Sequence, residues 1–531
     1  MQGGVVGLIR KKFFPSETKD IVTEKKVVAY SSGTYSPIFS YSYNGEKNLG
    51  EMGPIKDYKM DYPALRVRSW QSFVESEITQ TVIKRYITWV IGKGLKLQAE
   101  PVQKVLEMEG ISLDSNTFCE SVEARFSVYR KSKRSHYSGM KNLDGVAADA
   151  FKNAIVGGDV LVVLRFENNT VNIQLIDGHH IQTPVGEAFP KNLNGNRIID
   201  GVEIDPTGKH VRYYVKTDIF KYSVVEAYGK KSGLQMAYLV YGLEYRLNNV
   251  RGIPLNACVL ESLKKMERYK EATVGSAEER QKIAFSIEHD NTSTGENPFV
   301  KNLSKALNVD GNADLPKDLN GKALADHVAV TTNKQAINMP VGAGLKMLES
   351  KNELYFKDFY TVNIELVCAS LGIPPEVAMS KYDSNFSASR AALKDWEHTL
   401  NVQRESFAFQ FYYPIWIAFL ETEIFKNKIN APGYAAAKAS DDHMILDAYR
   451  MARFVGAPVP HIDPLKEVQA ERAKLGTTGL HLPLTTLEAA TESLNGGESD
   501  ANMEQYSTEL DYASKLKLNP VINNQAPTNN Q

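Results

Sequence analysis

The stretch that most constrains this chain's fold runs from about Leu255 to Leu371. A helical pattern spans about Leu255 to Ile287. Polar residues with Gly, Asn and Asp throughout follow from 289 to about 343. A second helical pattern then runs from about Asn352 to Leu371. A helix of about 30 residues is about 45 Å long, which is long for a globular domain. Two such helices around a polar insertion make a hairpin-like unit. Its tip, carrying short strands such as His327 to Thr331, is the usual place for a partner-binding element. The first helix has small residues at its middle, from Ala272 through Gly275 to Ala277. Gly275 costs about 1 kcal/mol against Ala there. Small residues let helices approach closely, as in packed rings, although a plain core helix reads the same way.

The flanking segments indicate an α+β fold. Residues 1–60 show little periodicity and read as an extended arm. From Tyr62 to Val90, Leu65, Trp70, Phe73, Ile78, Val82 and Tyr86 recur at helical spacing, and Gly92 and Gly94 end the run. Asp149 to Ile155 is helical, and Gly157-Gly158 breaks it. Val160 to Phe166 and Val171 to Ile176 flank Asn168-Asn169 as a hairpin. Ile198 to Ile204, Val211 to Val215 and Gln235 to Tyr241 complete a mostly antiparallel sheet region.

Beyond the second long helix, Gly372-Ile373-Pro374-Pro375 must break the chain. A loop follows from Met379 to Ser387, with Ser387 as N-cap of a helix through Phe411. The aromatic block Phe407 to Phe425, with a kink at Pro414, reads as core or subunit contact. Residues 441–518 read as short helices and 519–531 as a disordered Asn-, Gln- and Pro-rich tail. There are no internal repeats.

Composition restricts the function. With 62 basic and 63 acidic residues the net charge is −1. Tight grip on phosphates normally needs a basic excess. Near-neutrality does not exclude a surface that DNA slides past. The densest local cluster is Arg125, Arg130, Lys131, Lys133 and Arg134, either a solvated helix end or a nucleic-acid or partner contact. No apolar run approaches the roughly 18 residues of a membrane span. Arg10, Lys11 and Lys12 follow the N-terminal apolar stretch instead of preceding it, so no export is expected. Cys119, Cys258 and Cys368 are far apart and read as buried free thiols. There is no GxxxxGK[ST], HExxH or GxSxG. Asp177-Gly178-His179-His180 reads as a polar turn after a strand, and Asp441-Asp442-His443 as a helix cap. No catalytic residue, metal site or cofactor is expected.

Six segments, taken in order over about residues 61–480, resemble the lambda-type family of phage portal proteins. They are Leu65-Arg66-Val67-Arg68-Ser69 with the helix ending at Gly92-Lys93-Gly94; Gly158-Asp159-Val160 through Ile176-Asp177; Gly201-Val202-Glu203-Ile204-Asp205 with Tyr213-Tyr214; and Arg251-Gly252-Ile253-Pro254. The fifth, Leu371-Gly372-Ile373-Pro374-Pro375 with Asn385-Phe386-Ser387-Ala388-Ser389-Arg390-Ala391-Ala392, is the most specific and resembles the family's LGVPYE…NYSSARAAL stretch. The sixth, Asp463-Pro464-Leu465-Lys466-Glu467 with Ala470, is similar to its DP-x-KE-x-x-A. Phe386 replaces the family's Tyr and Ala388 one Ser. The loop should therefore keep its shape while its hydroxyl contacts differ.

The resemblance implies a non-enzymatic subunit of a ring, usually of twelve copies, at one capsid vertex of the virion, assembled in the host cytoplasm. It implies an N-terminal arm (1–60), a mixed α/β wing (61–254 and 372–440), stem helices (255–288 and 352–371), a small clip (289–351) and an α-helical crown (441–518). Double-stranded DNA would pass the loop near 379–388, where Lys381, Asn385, Ser387, Arg390 and Lys394 are the candidate contacts. Arg390 and Lys394 share a helix face, and the alternative for them is ion pairing between subunits. The terminase large subunit, the head–tail connector or adaptor, and the major capsid or scaffold protein would be the partners. Another structural head protein, such as a minor head or adaptor protein, is the alternative. Those are usually much shorter and lack the helix, insertion, helix unit.

Overall fold

The computed structural model describes residues 40–41, 47–48, 62–167, 169–190, 192–218, 221–230, 232–243, 250–282, 286–289, 343–346, 356–381, 386–459, 464–476, 483–495, 497 and 499–516. Two compact units result, residues 1–60 and 61–531. Within the first, Ser40–Tyr41 pairs antiparallel with Lys47–Asn48. The expected strand His327 to Thr331 and the 519–531 tail lie outside the described residues.

The second unit opens with α1 (Tyr62–Glu75) and α2 (Glu77–Val90). The sequence suggested one continuous helix. Ser76 instead adopts extended backbone, φ −89° and ψ 119°, and breaks it. Next come β1 (Lys96–Ala99), α3 (Gln103–Met108), α4 (Ser115–Lys131) and α5 (Leu143–Gly157). The Asp114 side chain caps α4 and that of Asn142 caps α5, each accepting from an otherwise orphaned backbone N–H.

The hairpin lies where periodicity places it, as β2 (Asp159–Glu167) and β3 (Thr170–Asp177), with Asn169 left-handed in its turn. Ile198 to Ile204 is not one strand. It folds back at Asp200-Gly201 into β4 (Arg197–Ile199) and β5 (Val202–Ile204). With β6 (His210–Asp218) and β7 (Lys221–Glu226) they form a four-stranded antiparallel meander. β8 (Ala237–Tyr241) pairs back onto β2, giving the sheet order β8-β2-β3.

The near-continuous apolar run of β2 follows from burial on both faces. Val160, Val162 and Leu164 enter the large core with the helices. Leu161 and Val163 enter a smaller core with Val202, Ile204, Tyr213 and Val215 of the meander. Strand alternation sends successive side chains to opposite faces, so a strand between two layers must be apolar at every position.

The long hairpin is α6 (Leu260–Lys282), closed by β9 (Ser286–His289) on β10 (Ala343–Lys346), and α7 (Phe356–Leu371). Residues near Ile287, expected in the helix, belong to this ladder, and Leu255–Cys258 is a 3-10 turn that precedes α6. Tyr269 of α6 packs on Phe356 and Phe359 of α7, with ring centroids 5.7 and 4.5 Å away.

After α8 (Pro375–Met379) comes α9 (Phe386–Phe407). It widens into a π-turn at Ala408–Tyr412 and continues as α10 (Tyr413–Phe425). Pro414 has no N–H to close the preceding turn, and the chain answers with a π-bulge instead of a simple kink. Two side chains tie the bulge to the edge strand β8. Tyr238 donates to the Phe411 carbonyl at 2.9 Å, and Gln410 Oε1 accepts from Tyr241 N at 2.8 Å.

The remaining helices are α11 (Tyr434–Ser440), α12 (His443–Arg450), α13 (Pro464–Lys474), α14 (Leu487–Asn495) and α15 (Ser499–Lys515). Asp442 caps α12, accepting from Met444 N and Ile445 N. Between α12 and α13, β11 (Ala452–Val455) pairs with β1, a strand missing from the sequence reading. Leu446, Ala448 and Tyr449 of α12 are buried in the large core.

Candidate nucleic-acid interface

The loop that carries the candidate contacts is held at its base. α7 ends at Gly372, whose φ of +72° is left-handed. Tyr86 of α2 donates to the Leu371 carbonyl, and burial raises its phenol pKa above the ordinary range. Trp396 of α9 is fully buried edge-on to Tyr86, with centroids 5.5 Å apart. Arg85 donates to Ser380 Oγ, where the chain turns through a left-handed residue (φ 54°). Arg404 is largely buried and donates to the Trp89 and Val90 carbonyls at 2.7 and 3.2 Å, closing the end of α2. Burial pulls its pKa down to about 10.

Three of the five candidates can be located in detail. Lys381 is exposed, and its backbone N–H donates to the Glu376 carbonyl at 3.1 Å. Arg390 approaches Glu467 of α13 at 3.7 Å. Lys394 pairs with Glu397 at 2.7 Å. Both cations are thus matched by carboxylates of the same chain. Ser387 lies inside α9, which starts at Phe386, so it is not the N-cap expected of it. Asn385 lies outside the described residues.

The basic run divides. Arg130 is buried, donates to the Leu95 carbonyl at 3.0 Å and lies 3.6 Å from Asp144. Arg125 pairs with Glu423 at 3.0 Å. Lys131, Lys133 and Arg134 stay exposed at the end of α4.

Sequence reasoning did not assemble one further cluster, which is buried. Asp159 is completely buried. Arg251 reaches both its oxygens, at 2.7 and 2.9 Å, and Arg66 reaches Oδ1 at 2.7 Å. The two guanidiniums also donate to carbonyls of Gly157, Gly178, Ile181 and Asp200. Burial alone would push the Asp159 pKa up, but Arg251 and then Arg66 overcome it and hold it below the ordinary carboxylate value. Burial lowers the pKa of Arg66. It would lower that of Arg251 too, but Asp159 raises it. Glycines make the approach possible. A Cβ on Gly252 would stand 2.0 Å from the Gly158 carbonyl oxygen, and one on Gly178 would stand 1.9 Å from Asp159 Oδ1.

Arg66, Asp159 and Arg251 come from the first, second and fourth of the six ordered segments. The fifth and sixth meet through Arg390 and Glu467. The motifs therefore mark two tertiary junctions. Their signal in sequence was the pairing of lone Arg and Asp with Gly inside apolar surroundings, which names no partner.

The described side chains offer no reacting constellation. No group of three or more His, Cys, Asp or Glu converges for a metal among the described residues. Asp177-His180 is a capped 3-10 turn. The strongly perturbed Asp159 cluster is sealed from solvent, so its shifts report a scaffold. Cys368 is buried as expected, whereas Cys119 is half-buried and Cys258 is exposed. Burial pushes the Cys119 and Cys368 thiols up to about 11, away from thiolate chemistry. Among the described residues no helix is long and apolar enough to cross a membrane.

Among solved structures, the chain is similar to one from the virion of a native gene transfer agent particle. The TM-score is 0.43 at 9% identity, over 84% of this chain and 96% of that one. It is similar to a chain in the neck of an empty particle computed with C6 symmetry, with TM-score 0.39, 10% identity and coverage of 82% and 94%. A third is from the neck of a native particle computed with C12 symmetry, with TM-score 0.37, 10% identity and coverage of 83% and 94%. No curated protein matches. The family model described as phage portal protein, lambda family, matches residues 44–404. The chain belongs to the lambda family of phage portal proteins.

Proposed function

We propose that copies of this portal protein close into a ring of about twelve at one capsid vertex, through which double-stranded DNA passes during packaging and ejection. The observation that carries the ring is the state of the long hairpin. Its base is fixed by Arg251 ahead of α6 and by the Tyr86–Leu371 bond after α7. Along its flank, Phe359, Val362 and Leu366 of α7 are 40, 53 and 61% exposed. They recur at helical spacing as one apolar stripe, which a monomer would leave in water. Head-to-tail packing of such surfaces closes into a ring when the rotation allows. Negative-stain images and native mass measurement of the purified chain test this. A hollow ring of about twelve copies is expected, and a stable monomer overturns it.

In this reading residues 255–288 and 352–371 are the stem, 289–351 the clip, and 441–518 the crown. The terminase large subunit and later the head–tail connector dock at the clip, and the major capsid or scaffold protein holds the ring in the virion. Lys381, Asn385, Ser387, Arg390 and Lys394 lie along the DNA path. Pairing of Arg390 with Glu467 and of Lys394 with Glu397 moderates their hold on passing phosphates without removing it. Both cations stand at the surface, 43 and 59% exposed, so the pairs contribute about 1 kcal/mol or less to stability. Particles carrying Lys381→Ala and Arg390→Ala should lose genome retention, and normal packaging and retention overturn the DNA contact.

A further inference from the structure

We propose that α15 of one subunit docks in a basic, apolar-floored groove of its neighbour, between α4 and α10. This rests on the ring reading above.

The groove encloses about 580 Å³. Val128, Tyr129, Val171 and Phe419 supply its apolar lining, and Val128 is 72% exposed. Arg125, Arg134 and Lys426 stand on it against one carboxylate, Glu423. Glu423 is already bound by Arg125 at 3.0 Å and by Lys426 at 2.9 Å. A phosphate would meet this central carboxylate, so the lining fits an acidic amphipathic helix better than a nucleic-acid backbone.

α15 has that character. It carries Asp500, Glu504, Glu509 and Asp511 against one cation, Lys515. Met503, Tyr506, Leu510 and Ala513 recur at alternating spacings of three and four, which lines them along one face. Met503 and Tyr506 are 53 and 59% exposed, and Ser499 is the one buried residue of α15. Helices in proteins draw most of their stability from packing an amphipathic face, and Met503 and Tyr506 leave much of this face in water.

The chain's own groove does not hold this face. The first turns of α15, at Asp500, Ala501 and Glu504, lie along the other flank of α4, beside Asn116, Glu120 and Ser127. The occupant is therefore the α15 of a second copy, with Tyr506 and Leu510 on the apolar floor and Glu509 and Asp511 toward Arg134 and Lys426.

Two measurements on the full chain test this. Val128→Cys with Tyr506→Cys, in a Cys258→Ser background, should give a ladder of covalent multimers on mild oxidation, which neither single cysteine gives. Arg134→Glu with Lys426→Glu should lower the salt concentration at which the ring dissociates. Glu509→Lys with Asp511→Lys should do the same, and combining the two reversals should restore it. A ring with no ladder, and with an unchanged salt midpoint in both reversals, overturns the docking and leaves the ring standing. A wild-type chain that never forms a ring overturns the ring reading and this one with it.

Discussion

Arg251 holds Asp159 through both carboxylate oxygens, Nε to Oδ2 at 2.7 Å and Nη2 to Oδ1 at 2.9 Å, across 92 residues of chain. The pair joins the start of β2 to the segment that launches α6. Arg66 adds the first helix to the same carboxylate. Three elements distant in sequence are thus fixed around one anion, at the base of the helical hairpin.

Breaking this pair from one side should be expensive, because it leaves a buried charge without its partner. Arg251→Met or Asp159→Asn should each destabilise the chain by about 3–5 kcal/mol. The double variant should cost less than the two losses together, since its members share one interaction. Urea unfolding followed by tryptophan fluorescence measures both. A loss below about 1 kcal/mol for either single variant contradicts the role.

Two glycines should respond to alanine in opposite directions. At Gly252 a Cβ would collide with the Gly158 carbonyl, so Gly252→Ala should force the backbones apart and lower the unfolding midpoint. At Gly275 no atom beyond its own turn of helix backbone lies within 4 Å of the added carbon. Gly275→Ala should stabilise α6 by roughly 0.5–1 kcal/mol. Thermal unfolding of the two variants side by side gives the signs.

The Tyr238 hydroxyl satisfies a carbonyl of the π-turn in a fully buried setting. Tyr238→Phe preserves the ring and removes the donor, so it should cost about 1–3 kcal/mol, the penalty of a buried unpaired carbonyl. Hydrogen exchange should rise in residues 408–413 and along β8. Unchanged exchange in both places would separate the bulge from the edge strand.

Stability should fall below neutral pH through His210. Burial first, and then the nearby Arg251 charge, lower its pKa from the ordinary value. The imidazole Nδ1 sits 3.0 Å from the Tyr213 hydroxyl. Its folded-state pKa is depressed, so the stabilisation is fully present above the unfolded value of about 6.5 and is lost as pH drops through the folded value. The urea midpoint should be lower at pH 5.5 than at pH 7.5, and His210→Gln should flatten that part of the profile. His136, lowered mainly by burial, has the same sign and leaves a residual slope.

Features that depend only on neighbours along the chain can be read from the residues in order. The β2–β3 hairpin, the interrupted helical hairpin, the turn at Asp177-Gly178 and the cap at Asp442 were all legible. Periodicity and capping are set within a few residues. The break at Ser76 and the π-turn at 408–412 were not legible, because each local pattern still reads as continuous helix. The partners of Arg66, Asp159 and Arg251, the β1–β11 pairing across about 350 residues of chain, and the neutralisation of Arg390 by Glu467 were decided only in three dimensions. A lone charged residue carries the same local signal whether it is solvated or buried. Its meaning depends on which distant backbone comes within 3 Å of it, and tertiary packing alone supplies that.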